Sequence, residues 1–327
     1  MSKKLELGQG VKLDKLDLKI LKILDWNARM PNSKVAKKVG SSKDVVAYRI
    51  KRLEETGIIK SYFPVLDMYK LGFHTSRIYF DLEELSFEKE KEFVSFLDKE
   101  IHAGVIFKMD HFYHYGIFVW TKSIYDIEEI LNKIKSKLGK YLLRYDYTII
   151  STLKQYPKDY LFGENMHQEF RTLEPRKAVK IDEKDFAILK MLAANAKSTT
   201  VDISKKLKIP QSTISSKIKL MQSKQIIQGY RAQINFSKLG YTNYFLEIYL
   251  NTNDNIKKIE AWTSTYPNVV WLQKIIGTCD IEIEVEVESR EQLELLLKKL
   301  REKFPNIRKI IFWLQEYKKF TYLPYDS

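Results

Sequence analysis

Between Ser42 and Gly57 the chain reads SKDVVAYRIKRLEETG, and Lys43, Asp44, Ala47, Tyr48, Lys51 and Arg52 share one face of that stretch, with Arg49 adding a further cation. Small, aromatic, hydrogen-bonding and cationic side chains in this mixture are what a helix needs to read base edges and grip phosphates in a DNA major groove. The stretch has the pattern of a helix. Val46, Ile50 and Leu53 recur at i, i+4 and i+7, which makes one buried stripe. Ser42 offers a capping oxygen at the start, and Gly57 can take the left-handed conformation at the stop. A surface helix with a solvated charged face would show the same residues, so the rest of the chain has to decide between the two.

The decisive feature is a repeat. Residues 13–73 align without a gap to 181–241 at a constant offset of 168, and 18 of these 61 positions are identical. Asp14/Asp182, Asp17/Asp185, Leu21/Leu189, Ile50/Ile218, Tyr62/Tyr230 and Leu71-Gly72/Leu239-Gly240 are among them. The copy of the first helix face is Gln211, Ser212, Ser215, Ser216, Lys217 and Lys219, over a buried stripe of Ile214, Ile218 and Met221. Gly40, Ser42 and Gly57 become Lys208, Pro210 and Gln225, so the second copy has lost its turn glycine, its cap and its stop.

Charge follows the repeat. The chain of 327 residues carries a formal net charge of +14. Residues 34–60 hold eight Lys/Arg against three Asp/Glu, and residues 197–231 hold eight against one, so these two segments carry +5 and +7. Two focused basic patches point to a polyanionic partner, double-stranded DNA, more than to general solubility. With 44% apolar and 13% aromatic residues the chain has ample core for two to four domains. Cys279 is the only cysteine, which excludes an intrachain disulfide and fits a reducing compartment. The N-terminal MSKKLELGQG has no apolar signal core, and no apolar run approaches the roughly 20 residues of a membrane helix. A soluble, cytoplasmic protein without a membrane partner is expected.

Each half begins with three helical patterns and a short extended wing, over 13–64 and 180–232. Each then changes rhythm, over 72–156 and 240–323, with a polar linker at 157–179. Ile78, Phe80 and Leu82 alternate, as do Leu246, Ile248 and Leu250, which marks a strand. The order that follows is βαββαβ, that of a ferredoxin-like sandwich. Its helices cover one face of the sheet, and the second copy in the same chain is the nearest cover for the other. The expected class is α+β: two winged helix-turn-helix domains alternating with two ferredoxin-like domains as an internal pseudo-dimer.

A three-helix winged unit, a connection ending in Leu-Gly and then βαββαβ resembles the Lrp/AsnC family of transcription regulators, here in tandem. The stretch LDKLDLKILKIL…NARMPNSKVAKKVGSSKDVVAYRIKRLEETGIIKSY carries most of that likeness. The resemblance implies DNA binding through the third helix, self-association through the sensor domains and a response to an amino acid or other small effector. It also implies a Gly-x-x-Asp turn, which Gly277-Thr278-Cys279-Asp280 matches, making Gly277 and Asp280 the expected effector-binding residues. Met109-Asp110-His111-Phe112 lacks that turn in the first half.

Two other readings remain. Sirohaem decarboxylases resemble the same family and act on a tetrapyrrole with His and Arg in the sensor domain. His74, His102, His111 and His114 cluster in the first sensor domain, but the second has no histidine. A scaffold with one degenerate DNA-binding half is the third. The sequence shows no phosphate loop, no carboxylate pair and no metal-ligand spacing, so no enzyme, no cofactor and no metal are expected. Glu282, Glu284, Glu286 and Glu288 alternate along one strand, where a solvated face is expected. Tyr113 to Trp120, the corresponding strand in the first half, is nearly all apolar and is expected to be buried on both faces.

Overall fold

The computed structural model describes residues 13–110, 112–163, 167 and 169–322. Asp14 caps helix α1 (Lys15–Trp26), accepting from the N–H groups of Leu16 and Asp17 while Asp17 reaches back to the Asp14 N–H. Helix α2 (Asn32–Val39) ends at Gly40 with φ of 71°. Helix α3 (Lys43–Glu55) starts at Ser42, whose hydroxyl accepts from the Val45 N–H at 3.2 Å. Val46, Ile50 and Leu53 are buried in the core that also takes in Ile20, Leu21 and Leu24. The wing strand β1 (Ile59–Leu66) follows.

The first βαββαβ half runs β2 (His74–Leu82), α4 (Phe87–Lys99), β3 (Val105–Met109), β4 (Tyr115–Thr121), α5 (Ile124–Leu138) and β5 (Leu142–Gln155). The linker contains a 3-10 turn at Asp159–Phe162 and a short strand β6 (Arg171–Leu173) that adds to β5. The second copy gives α6 (Glu183–Ala194), α7 (Thr200–Leu207), α8 (Gln211–Ser223) and wing β7 (Ile227–Ile234). Its βαββαβ half is β8 (Thr242–Leu250), α9 (Ile256–Thr263), β9 (Val269–Ile276), β10 (Ile281–Val287), α10 (Arg290–Lys303) and β11 (Ile307–Phe320). The mixed helix and sheet class and the duplicated order are as the sequence implied.

Two seams join the halves. The wings β1 and β7 pair with each other, antiparallel, with Tyr62 opposite Ala232. In the βαββαβ halves β3 pairs with β11 and β5 with β9, and β5 also returns to β2. The order β2-β4-β3-β11-β8-β10-β9-β5 therefore closes on itself as an antiparallel barrel. Alternation sets what each face meets. Outward-facing Ile78, Phe80 and Leu82 pack with Phe93, Phe96 and Ile130, and Leu246, Ile248 and Ile283 pack with Leu293, Leu296 and Leu300. The remaining face of every barrel strand looks inward.

That closure corrects the expectation for the glutamate stripe. Glu282, Glu284 and Glu286 point into the barrel at 0%, 2% and 2% exposure, and of the four only Glu288 is exposed. Helices cover one face of β10 and the other copy covers its opposite face, so that strand has no solvated side. In the corresponding run of the first half, Tyr115 to Trp120 are buried in β4, as the composition implied, while Tyr113 is half-buried and His114 exposed.

Candidate nucleic-acid interface and barrel interior

Helix α3 exposes Lys43, Asp44, Tyr48 and Lys51, with Ala47 half-buried between them. Tyr48 is 65% exposed, so its ring is available to a partner. Lys51 lies 3.6 Å from Glu55 one turn on, both well exposed, so the pair is weak and the ammonium is available. Helix α8 exposes Gln211, Ser212, Ser216 and Lys219, with Ser215 half-buried. The Gln211 amide donates to the Thr200 hydroxyl at 3.0 Å. Around both helices Lys34, Lys37, Lys38, Lys205, Lys206 and Lys208 are exposed, which makes two cationic surfaces.

The other three cations of the expected set are tied down within the fold. Arg49 donates to Asp14 at 2.7 Å and to Asp17 at 3.2 Å, and Arg52 reaches Asp17 at 2.5 Å. Lys217, the counterpart of Arg49, donates to Asp182 at 2.6 Å and Asp185 at 3.0 Å. These side chains lock each third helix onto the start of the first helix of its unit. The Lys217 ammonium, with the Asp185 N–H, pulls the Asp182 carboxyl down to about 2. Sequence spacing could not separate these roles, because a cation one helical turn from the groove face suits either partner.

The two winged units are held in one frame. Arg29 donates to the Ala196 and Ser198 carbonyls at 2.5 and 2.9 Å, crossing from the first half to the second. Buried Arg231 of wing β7 pairs with buried Asp25 of α1 at 2.5 Å. From the linker, Arg171 stacks over Trp26 at 3.7 Å and donates to the carbonyls of Trp26 and Gln228. Burial, with repulsion from Arg231, lowers its guanidinium to about 10. The left-handed positions at Lys208 (φ 55°) and Gln225 (φ 57°) keep the turns that Gly40 and Gly57 make in the first unit.

Inside the barrel a charged cluster joins the halves, and sequence reading missed it. Arg77, fully buried, donates to Glu282 at 2.5 Å, to the Gln273 carbonyl oxygen at 2.5 Å and to the Tyr79 hydroxyl oxygen at 2.7 Å. Its guanidinium lies 4.3 Å above the Phe118 ring and 4.6 Å above Phe245. The Tyr79 hydroxyl donates to the second Glu282 oxygen at 2.8 Å. Glu284 accepts from the Tyr317 hydroxyl at 2.5 Å, and Glu286 accepts from Lys158 and Tyr160. Full burial pushes the Glu284 carboxyl up to about 7, and burial followed by repulsion from Glu282 does the same to Glu247. The available signals were Arg77 in an otherwise apolar alternating strand, and the glutamate stripe itself.

The structure assembles two groupings that linear spacing had hidden. Glu247 and Glu282 form a buried carboxylate pair, and with the Cys279 thiol they bring three donor atoms within 4.8 Å of one another. Burial, then the two glutamates, raise the Cys279 thiol, so it is no nucleophile. Gly277 and Asp280 serve the turn: the Asp280 carboxylate accepts from the Leu250 N–H at 2.7 Å, and Gly277, at φ of 144°, packs against Tyr147 and Thr148. Of the histidines noted, His114 accepts from the Leu82 N–H at 3.1 Å and His74 is exposed, while His111 lies outside the described residues. No helix among the described residues is long and apolar enough to cross a membrane.

A family model for winged helix-turn-helix DNA-binding units matches residues 13–60 and again 181–228. The HTH-type transcriptional regulator LrpB of Bacillus subtilis is 28% identical over 151 residues, which is 46% of this chain and 95% of that one. LrpA of Pyrococcus horikoshii is 40% identical over 62 residues, 19% of this chain and 44% of that one. A whole LrpB thus spans less than half of this chain, as a duplication requires. Among solved structures, the siroheme decarboxylase NirDL covers 96% of this chain and 95% of its own at a TM-score of 0.63 and 15% identity. That likeness is one of fold. It overturns the expectation that the chain is not an enzyme, because the whole architecture is shared with one.

Proposed function

We propose that this chain, a tandem duplication of the Lrp/AsnC type, is a sequence-specific DNA-binding regulator acting in the cytoplasm as its own dimer. Two winged DNA-binding units with outward basic helices, braced by the pairing of β1 with β7, carry this reading. A two-fold helix-turn-helix protein sets its recognition helices about one DNA turn apart, roughly 34–36 Å, and a single chain can fix that spacing without assembling. Lys43, Lys51 and Lys219 meet phosphates or guanines. Asp44, Ala47, Tyr48, Gln211, Ser212, Ser215 and Ser216 select bases. Arg49, Arg52 and Lys217 position the helices. A small effector acts through the barrel, and further association of chains uses the barrel's outer helices.

The test is a salt titration of binding to a selected duplex. With about three phosphate contacts, from Lys43, Lys51 and Lys219, log affinity falls against log salt with a slope near −3. A flat response sinks the reading. Replacing Lys51 and Lys219 by Glu together abolishes binding, and unchanged affinity would remove both helices from the interface.

A second reading is an enzyme acting on a tetrapyrrole, favoured by the full-length fold shared with a siroheme decarboxylase. Titrating the chain with sirohaem tests it: a shifted Soret band with turnover supports the enzyme, and an unshifted spectrum excludes it.

A further inference from the structure

Between the paired wings and strands β9, β10 and β11 lies a cavity of about 570 Å³, within the range of small-molecule sites. It is separate from the Gly277–Asp280 turn, neither end of which lines it. Phe63 of the wing and Phe320 of the barrel meet edge to face at 4.9 Å, and Trp271 lies beyond Phe320 at 6.4 Å. Together they give an aromatic wall. Gln315, only 6% exposed, also lines the cavity, and neither its amide nitrogen nor its amide oxygen has a hydrogen-bond partner. A buried amide left unpaired is costly, so such a group calls for a ligand that satisfies it. Lys60 and Lys238 stand on the wing side, whereas Glu284, Glu286 and Glu316 line the barrel side, where Tyr317 holds Glu284, Lys158 and Tyr160 hold Glu286, and Lys318 pairs with Glu316. Lys60 is exposed, and Lys238 uses one of its three N–H donors on the Thr56 carbonyl at 2.8 Å.

A matching ligand has a flat face for the aromatic wall, a donor beside an acceptor for the Gln315 amide, and an anionic tail for the two lysines. Among free amino acids, asparagine and glutamine pair a planar donor–acceptor edge with an anionic end, but neither has a ring face to stack on the aromatic wall. A nucleobase has that edge and stacks on aromatic side chains, and a phosphate supplies the tail. We infer that the cavity between wings and barrel binds a nucleoside monophosphate, base toward Gln315 and phosphate toward Lys60 and Lys238. The wings that wall the cavity also carry α3 and α8, so an occupant braces the DNA-binding frame against the barrel. This consequence rests on the regulator reading; the binding itself does not.

The experiment is calorimetric titration of the full chain with AMP, GMP, CMP and UMP in turn, beside the free amino acids and iron-uroporphyrin. The expected result is binding of at least one of the four nucleotides at one site per chain. Gln315→Leu weakens that binding tenfold or more without lowering Tm, because it removes an unpaired buried amide. Lys60→Glu, at an exposed position that leaves folding alone, weakens it by a similar factor. No heat from any nucleotide, or unchanged affinity in both variants, overturns the inference. Binding of an amino acid or iron-uroporphyrin with no nucleotide bound overturns it as well. DNA affinity measured on the same protein keeps the two claims apart: DNA binding without nucleotide binding defeats only this one, and the reverse defeats only the regulator reading.

Discussion

At the middle of the barrel Arg77 of the first half stacks on Phe245, the residue that holds its own place in the second half. The strand registers show how complete this divergence is. Arg77 stands opposite Phe118 and Tyr79 opposite Gly116, whereas Phe245 stands opposite Glu284 and Glu247 opposite Glu282. One half brings the arginine to the shared interior, and the other brings the carboxylates. Two identical subunits would set arginine against arginine there. Within one chain the equivalent positions changed separately and became complementary. The outer ends of the two halves differ in the same way: α3 has a serine cap and glycines at its turn and stop, and α8 has Pro210, Lys208 and Gln225 in those places.

The most direct attack on that complementarity is to remove the cation. Arg77→Met strands Glu282 in the barrel and costs about 3–5 kcal/mol, whereas Arg77→Met with Glu282→Leu regains most of it. Urea unfolding measures both, and a single mutant within about 1 kcal/mol of the parent would break the account of the barrel.

The carboxylates of the second half give a pH signature. Glu284 and Glu247 titrate at about 7 in the folded protein, against about 4.3 in an unfolded chain. The folded state therefore holds protons that the unfolded state has released between those values. Stability is highest at the acid end of that window, falls as pH rises through it, and levels off above 7, by about 3–4 kcal/mol for each group. Glu284→Gln flattens the fall. Stability that rises with pH between 5 and 7 would contradict the buried placement.

The helices give a smaller contrast. Lys51→Glu and Lys219→Glu each lower DNA affinity, and the first has the larger effect, about 10- to 100-fold, or 1.4–2.8 kcal/mol. Equal losses, read by fluorescence anisotropy at fixed salt, would make the two readers alike. Smallest is Gln225→Gly, which relieves a left-handed residue and raises stability by about 0.5–1 kcal/mol. A drop in Tm would mean that Gln225 makes a contact worth more than its strain.

Much of this was legible in the residues. The gapless repeat, the caps at Asp14 and Ser42 and the period-two runs Ile78–Leu82 and Leu246–Leu250 are local, and local pattern fixes local structure. The three cations Arg49, Arg52 and Lys217 were legible as basic but not as tied, because their partners Asp14, Asp17, Asp182 and Asp185 lie some 35 residues away in the chain. The glutamate stripe was misread for a related reason. Alternation tells that one face of β10 differs from the other, and only barrel closure tells that both are covered. The cavity beside Gln315 was invisible, since its walls come from both wings and three strands.

Selection of bound sequences from random DNA tests the central claim most directly. Two unlike readers in one rigid chain predict a two-part motif with unequal halves spaced by about one helical turn. A perfect palindrome would contradict the difference between the readers, and no enrichment at all would contradict the DNA-binding function.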